Sequence, residues 1–336
     1  MMTTTGAPRL PSSKARGVAA MSGRNGSRGR SGAIAFIEAM LLITVVFFLR
    51  ALPFPAALAA GRGLGRLGWW IGGRRKKIAL HNLRCAFGHR LDEREISKLA
   101  RESYRRLGMT AVEGLVLPRW LDDPRFIAGL ELEGPIEELE RRHKAGEPFL
   151  LVSGHLGAWE LLLPLLVKRG WNLALISRPL KNRWIHRWLR RHRTTMVPTI
   201  IDPAGALPEM GKALRSGCCV ALMVDQNDRR GLFVDFLGRP AASTQAVGVL
   251  TRRYRTEVVY LQARRLVPGR CYRIRFEIGR DLDPDSDGIR EHVAEVTRRC
   301  SNRIEAMVRE SPADWLWVHQ RWKTRPDGSR EIIAPK

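Results

Sequence analysis

Hydrophobic positions along the chain fall into three regimes. The first is continuous: Ala33 to Leu49 is broken only by Glu38, and after Arg50 a second apolar stretch runs through Ala60. Seventeen apolar residues lie at the short limit for a bilayer span. Residues 33–60 are therefore read as a retained membrane anchor that either spans the bilayer or lies in its interface. The apolar length past Arg50 argues against a cleaved signal peptide. The second regime, Gly72 to about Pro118, is helical and basic and includes Arg74-Arg75-Lys76-Lys77.

In the third regime, from about Glu131 to Val267, short apolar runs alternate with helical segments. The runs are Phe149–Ser153, Leu173–Ser177, Met196–Ile201, Cys219–Val224 and Val258–Leu261. A further strand over Tyr272–Ile278 and a helix from about Asp287 to Arg309 follow. Such alternation predicts an α/β fold: a mixed, largely parallel sheet flanked by helices, with an N-terminal membrane helix in front. The expected divisions are a disordered basic tail over 1–32, the anchor over 33–60, a globular domain over 61–325 and a tail over 326–336.

Charge changes this picture. The formal net charge is +25, and the six basic residues of 1–32, unopposed by any acid, leave +19 on the rest. A field of that size attracts anionic headgroups, an acidic carrier protein or nucleic acid. With 44% hydrophobic and 27% charged residues the chain can build a substantial core. Five cysteines without a Cys-x-x-Cys pattern suggest neither a disulfide framework nor a zinc site. Cys218 and Cys219 open an apolar run and read as small core residues in a reduced, cytosolic setting.

The segment that carries most chemistry is Ser153-Gly154-His155-Leu156-Gly157-Ala158-Trp159-Glu160. On one helix, His155 and Glu160 would stand roughly 140° apart. A glycine-containing turn between a strand and the helix starting at Trp159 lets both face one cleft at the strand's carboxyl end, where open α/β sheets bind ligands. A histidine held by a carboxylate is a general base for a hydroxyl or water. Downstream, Arg178 to Arg193 holds seven basic residues and no acid, with Trp184 and Trp188 four apart. Tryptophan among arginines suits a membrane interface, and nucleic acid would use similar residues. Asp225-Gln226 ends another strand, and Asp225 is expected to bond or orient a neighbour rather than bind metal. A Gly- and Pro-containing loop then leads to a helix near Thr244. The cluster Trp315 to Lys323 is either core or a membrane-facing patch.

Several pieces stand together in order: Asn82-Leu83 with Phe87, the His155/Glu160 pair, Arg178-Pro179-Leu180-Lys181-Asn182, Asp225-Gln226, Phe236 to Ala241, and Trp315 to Lys323. This set, over roughly residues 35–325, resembles the late acyltransferases of lipid A biosynthesis, within the lysophospholipid acyltransferase superfamily. It departs from that pattern at Gly88, where proline is usual, and at Leu237, where a second phenylalanine is common. The resemblance implies that 61–325 is an acyltransferase domain at the cytoplasmic face of the inner membrane. It would move a fatty acyl chain from an acyl carrier protein thioester to a hydroxyl of a lipid A precursor or related glycolipid. His155 would take the hydroxyl proton, with Glu160 fixing its tautomer. Arg178, Lys181 and Arg193 would stabilise oxyanion charge or grip phosphates, Asn182 would bind substrate beside them, and Asp225 and Gln226 would shape the cleft. No metal or organic cofactor and no nucleic acid partner is implied. Two alternatives share some features: an enzyme of the same chemistry acting on another glycolipid or a lysophospholipid, and a non-catalytic basic protein binding membrane or nucleic acid. The second leaves the His155/Glu160 pair unexplained.

Overall fold

A computed structural model describes residues 32–279 and 288–333. The expected basic tail lies outside them except for Gly32, as do the predicted helix start at Asp287 and residues 334–336. Four helices come first: α1 (Gly32–Ala51), α2 (Phe54–Ile71), α3 (Gly73–Phe87) and α4 (Glu93–Val116). There follow α5 (Pro124–Ala128), β1 (Leu130–Glu133), α6 (Ile136–Lys144), β2 (Leu150–Ser153), α7 (Trp159–Lys168), β3 (Leu173–Ile176), α8 (Arg183–Thr194) and β4 (Thr199–Ile201). The chain continues through α9 (Ala206–Arg215), β5 (Cys219–Met223), β6 (Leu232–Phe236), β7 (Arg239–Ser243), α10 (Ala246–Tyr254), β8 (Val258–Val267), β9 (Cys271–Ile278) and α11 (Ile289–Glu310).

Seven strands form one sheet in the order β1-β9-β8-β2-β5-β3-β4. The pairs β8·β2, β2·β5, β5·β3 and β3·β4 are parallel, while β9 runs antiparallel to β8. The largely parallel α/β architecture is thus as expected. Every residue of β2 is buried, as a central strand covered on both faces requires. Two elements were not legible. β1 reads Leu-Glu-Leu-Glu and finds its place by pairing with the edge of β9. The segment expected to be a loop after Asp225 instead contains the antiparallel hairpin β6–β7, turned through Leu237 and Gly238, both at positive φ.

α1 is long and apolar enough to cross a membrane by length and composition. Leu41, Phe47 and Phe48 stand among its exposed residues, while Ala39, Val46 and Leu49 are buried. The second apolar stretch opens α2, whose Phe54, Ala57 and Leu58 are buried in the core. α2 and α4 cross at glycines, since a Cβ on Gly65 would stand 2.1 Å from the Tyr104 carbonyl oxygen. α4 starts from a capping box in which Asp92 accepts from the Arg94 and Glu95 amides and Glu95 bonds back.

Candidate active site

β2 and β5 are adjacent and parallel, so the residues leaving their carboxyl ends meet. After β2 the chain turns through Gly154 and His155. Gly157, at φ +65°, sits where a Cβ would come within 2.1 Å of the Ala263 carbonyl oxygen. Only glycine satisfies both the left-handed backbone and that close approach. The turn is pinned on two sides. The Ala158 amide donates to the Ala263 carbonyl at 2.9 Å, and the Leu316 amide to the His155 carbonyl at 3.0 Å. Beneath it, the Gly157 carbonyl accepts from Thr110 Oγ1 at 2.9 Å and from Arg265 Nη2 at 3.1 Å.

Asp225, two residues past β5, is the direct partner of His155. Its Oδ1 lies 2.8 Å from His155 Nδ1, and its Oδ2 accepts from the His155 backbone amide at 2.7 Å and from Trp315 Nε1 at 2.8 Å. Burial opposes the charged carboxylate, but the His155 charge and these donors outweigh it and hold Asp225 down at about 2. Burial likewise opposes protonation of the His155 ring, yet the Asp225 charge and hydrogen bond, with a smaller contribution from Glu160, raise its pKa overall. An ionised carboxylate only accepts, so Nδ1 carries the ring proton and Nε2 keeps its lone pair. Nε2 faces the partly open side, 3.4 Å from Gln226 Nε2, with the Trp159 ring 5.5 Å away edge-on.

Glu160 lies on the other flank. Its carboxylate rests against Gly114 of α4, where an added Cβ would be only 3.0 Å away, and pairs with Arg193 at 3.7 Å. The hydrogen bond that fixes the His155 tautomer therefore goes to Asp225, not to Glu160. The reason is positional: Asp225 reaches the ring from the neighbouring strand, whereas Glu160 has already entered the first turn of α7. Asp225's expected orienting role has a bond to carry it.

The basic segment divides. Arg193 Nη1 donates to Ser177 Oγ at 2.7 Å, which brings Arg193 between Glu160 and the end of β3. Arg178 and Lys181 are exposed, and Arg178 lines a cleft with His186, Arg190 and Arg193. Asn182 is otherwise engaged. Its Oδ1 caps α8 by accepting from the Trp184 and Ile185 amides, and its Nδ2 donates to the Ala35 carbonyl and to Glu38 of α1. An amide with both ends occupied is a latch between helices.

Some residues at the site were not singled out by sequence. Trp315, Trp317 and Trp322 are buried, so the terminal cluster is core packed behind the site and not a membrane-facing patch. Glu113 and Arg265 form a buried ion pair, to which the Tyr272 hydroxyl donates at 2.9 Å. The signal for that pair was available: Glu113 interrupts the apolar stripe Met109, Val112, Val116 of α4. Arg321 is buried too, donating to the Ala242 carbonyl at 2.8 Å and to Ser243 Oγ. Burial lowers its pKa to about 10 despite the pull of Asp225. Among the described residues no group of three or more His, Cys, Asp or Glu side chains is arranged to hold a metal ion.

A partly open histidine, oriented by a buried carboxylate at the carboxyl edge of a parallel sheet, defines a site built to take a proton from a hydroxyl or water. Comparison with known proteins supplies the lineage. The profile of the family described as bacterial lipid A biosynthesis acyltransferase matches residues 31–324, and the chain belongs to that family of acyltransferase enzymes. A lipid A biosynthesis lauroyltransferase of Escherichia coli K12 is 27% identical over 293 residues, covering 85% of this chain and 91% of that protein. A lipid A biosynthesis palmitoleoyltransferase of the same strain is 25% identical over 291 residues, covering 84% and 89%. A Shigella flexneri lipid A biosynthesis acyltransferase matches to the same extent.

Proposed function

We propose that the protein is a membrane-associated O-acyltransferase that moves a fatty acyl chain from an acyl carrier protein thioester to a hydroxyl of a lipid A precursor. The observation that carries the chemistry is the bond from His155 Nδ1 to the buried Asp225, which leaves Nε2 free as a base. The hydroxyl gives its proton to Nε2 as its oxygen attacks the thioester carbonyl carbon. The carbonyl electrons move to oxygen, and the resulting oxyanion is stabilised by Arg193, which Glu160 and Ser177 aim. Collapse restores the carbonyl, breaks the carbon–sulfur bond, and returns the proton from the imidazolium to the leaving thiolate. No acyl-enzyme forms, because the thioester is already activated. Gln226, beside Nε2, positions the acceptor hydroxyl.

The apolar α1 supports inner-membrane attachment, with the catalytic domain on the cytoplasmic side where carrier protein is available. The excess positive charge suits both an acidic carrier and an anionic lipid. The test is transfer from a defined acyl carrier protein thioester to a lipid A precursor by protein in native-like membranes. His155→Ala is expected to lower kcat by about 10³-fold or more while membrane binding persists. Near-normal turnover in that variant contradicts the base assignment.

A further inference from the structure

α8 has two working sides. Toward α1, Trp184 meets Phe36 edge-on at 5.3 Å, and His192 Nδ1 accepts from Arg50 Nη2 at 2.9 Å. Asn182, capping α8, reaches Ala35 and Glu38. The apolar helix is therefore held along most of its length by α8. On roughly the opposite side of α8, by helical spacing, His186, Arg190 and Arg193 line a cleft with Ser177, Arg178 and Asp202.

Three guanidinium groups face one carboxylate in that cleft. Asp202 is partly committed, its Oδ1 accepting from the Ala204 amide at 3.0 Å. Arg193 is engaged with Ser177 and Glu160, but among the described residues neither Arg178 nor Arg190 forms an ion pair. Planar guanidinium donors match the oxygens of a phosphate ester. Two phosphates are available to such an enzyme: one on the membrane-borne acceptor and the phosphodiester of the carrier's acyl arm. Only the width of one helix, about 10 Å, separates the cleft from α1. That places it on the flank where a lipid headgroup arrives.

We infer that this cleft is a phosphate subsite for the acceptor, with Arg178 and Arg190 as its donors and Arg193 linking it to the reacting centre. The inference rests on the acyl-transfer reading for the acceptor's identity, but its test does not need turnover. Full-length His155→Ala protein in nanodiscs is titrated with a lipid A precursor bearing its phosphates and with the same lipid after phosphatase treatment. The phosphorylated lipid is expected to bind about ten- to a hundredfold more tightly. Adding Arg178→Ala and Arg190→Ala, both exposed, removes the preference. In the active background the same pair raises KM for the acceptor and leaves KM for the acyl carrier protein unchanged. A preference that survives the double substitution overturns the subsite, and so does a rise confined to the donor's KM. Arg-dependent preference in a protein that fails to transfer acyl groups would sink the catalytic reading and leave the subsite standing.

Discussion

The two flanks of His155 are built to opposite standards. On the β5 side, Asp225 is almost fully buried and accepts from three donors, and the turn beneath it is pinned to β8 and to the Trp315 segment. On the α8 side, Glu160 and Arg193 keep about a quarter of their surface, meet at 3.7 Å, and open onto a cleft of exposed arginines. A proton-transfer group must be held to within fractions of an ångström, and that demands dry, saturated bonding. Substrate groups come and go, and long cationic side chains in water accommodate them. The difference teaches which carboxylate does which job.

That contrast can be broken by substitution. Asp225→Asn leaves the shape but offers Nδ1 an ambiguous partner, and kcat is expected to fall about 10³- to 10⁴-fold, as for the equivalent change in a serine protease triad. Steady-state transfer assays read this directly. Next in size is Arg265→Met. Stranding the buried Glu113 charge is expected to cost about 3–5 kcal/mol of stability in chemical denaturation. Arg265→Met with Glu113→Leu recovers most of it if the pair acts as a unit.

Smaller effects sharpen the comparison. Glu160→Gln weakens the aim of Arg193 and is expected to lower kcat about ten- to a hundredfold with little change in denaturation midpoint. Trp315→Phe removes one donor from Asp225 Oδ2 and is expected to cost about tenfold in kcat. The sign in pH follows. Asp225 has a folded pKa below its usual value, so its contribution to stability is present above the unfolded carboxylate pKa and is lost as pH falls toward about 2. Losing the Trp315 donor lets that pKa rise, and acid unfolding of Trp315→Phe begins at higher pH than in the wild type.

The sheet was legible because its central strands are unbroken apolar runs: β2, β5 and the start of β8 are buried throughout. β1 was not, since its alternating glutamates ion-pair with Arg273 and Arg275 of β9 and carry no hydrophobic signal of their own. The hairpin β6–β7 was hidden by Pro240 and Gly238, which read as loop residues yet sit at its turn and in its edge strand. At the site, His155 could be found from local context, because strand, glycine and helix follow one another in eight residues. Its partner could not, since 70 residues separate His155 from Asp225 and only the β2·β5 pairing brings them together. Glu160 was nearer in sequence and so stood in for it. Asn182 failed for the same reason, as its contacts with Ala35 and Glu38 lie about 145 residues away.

The pH dependence of kcat/KM in wild type, Asp225→Asn and Glu160→Gln separates the two carboxylates most directly. In the wild type the acid limb reports deprotonation of His155 and is expected above the usual histidine range, because Asp225 raises that pKa. Removing the Asp225 charge leaves burial unopposed by its main counterweight, so the limb of Asp225→Asn moves to lower pH along with the large fall in rate. Glu160→Gln is expected to move it less. A limb that shifts further in Glu160→Gln than in Asp225→Asn, with near-normal turnover in the latter, would contradict the assignment of Asp225 as the partner of the base.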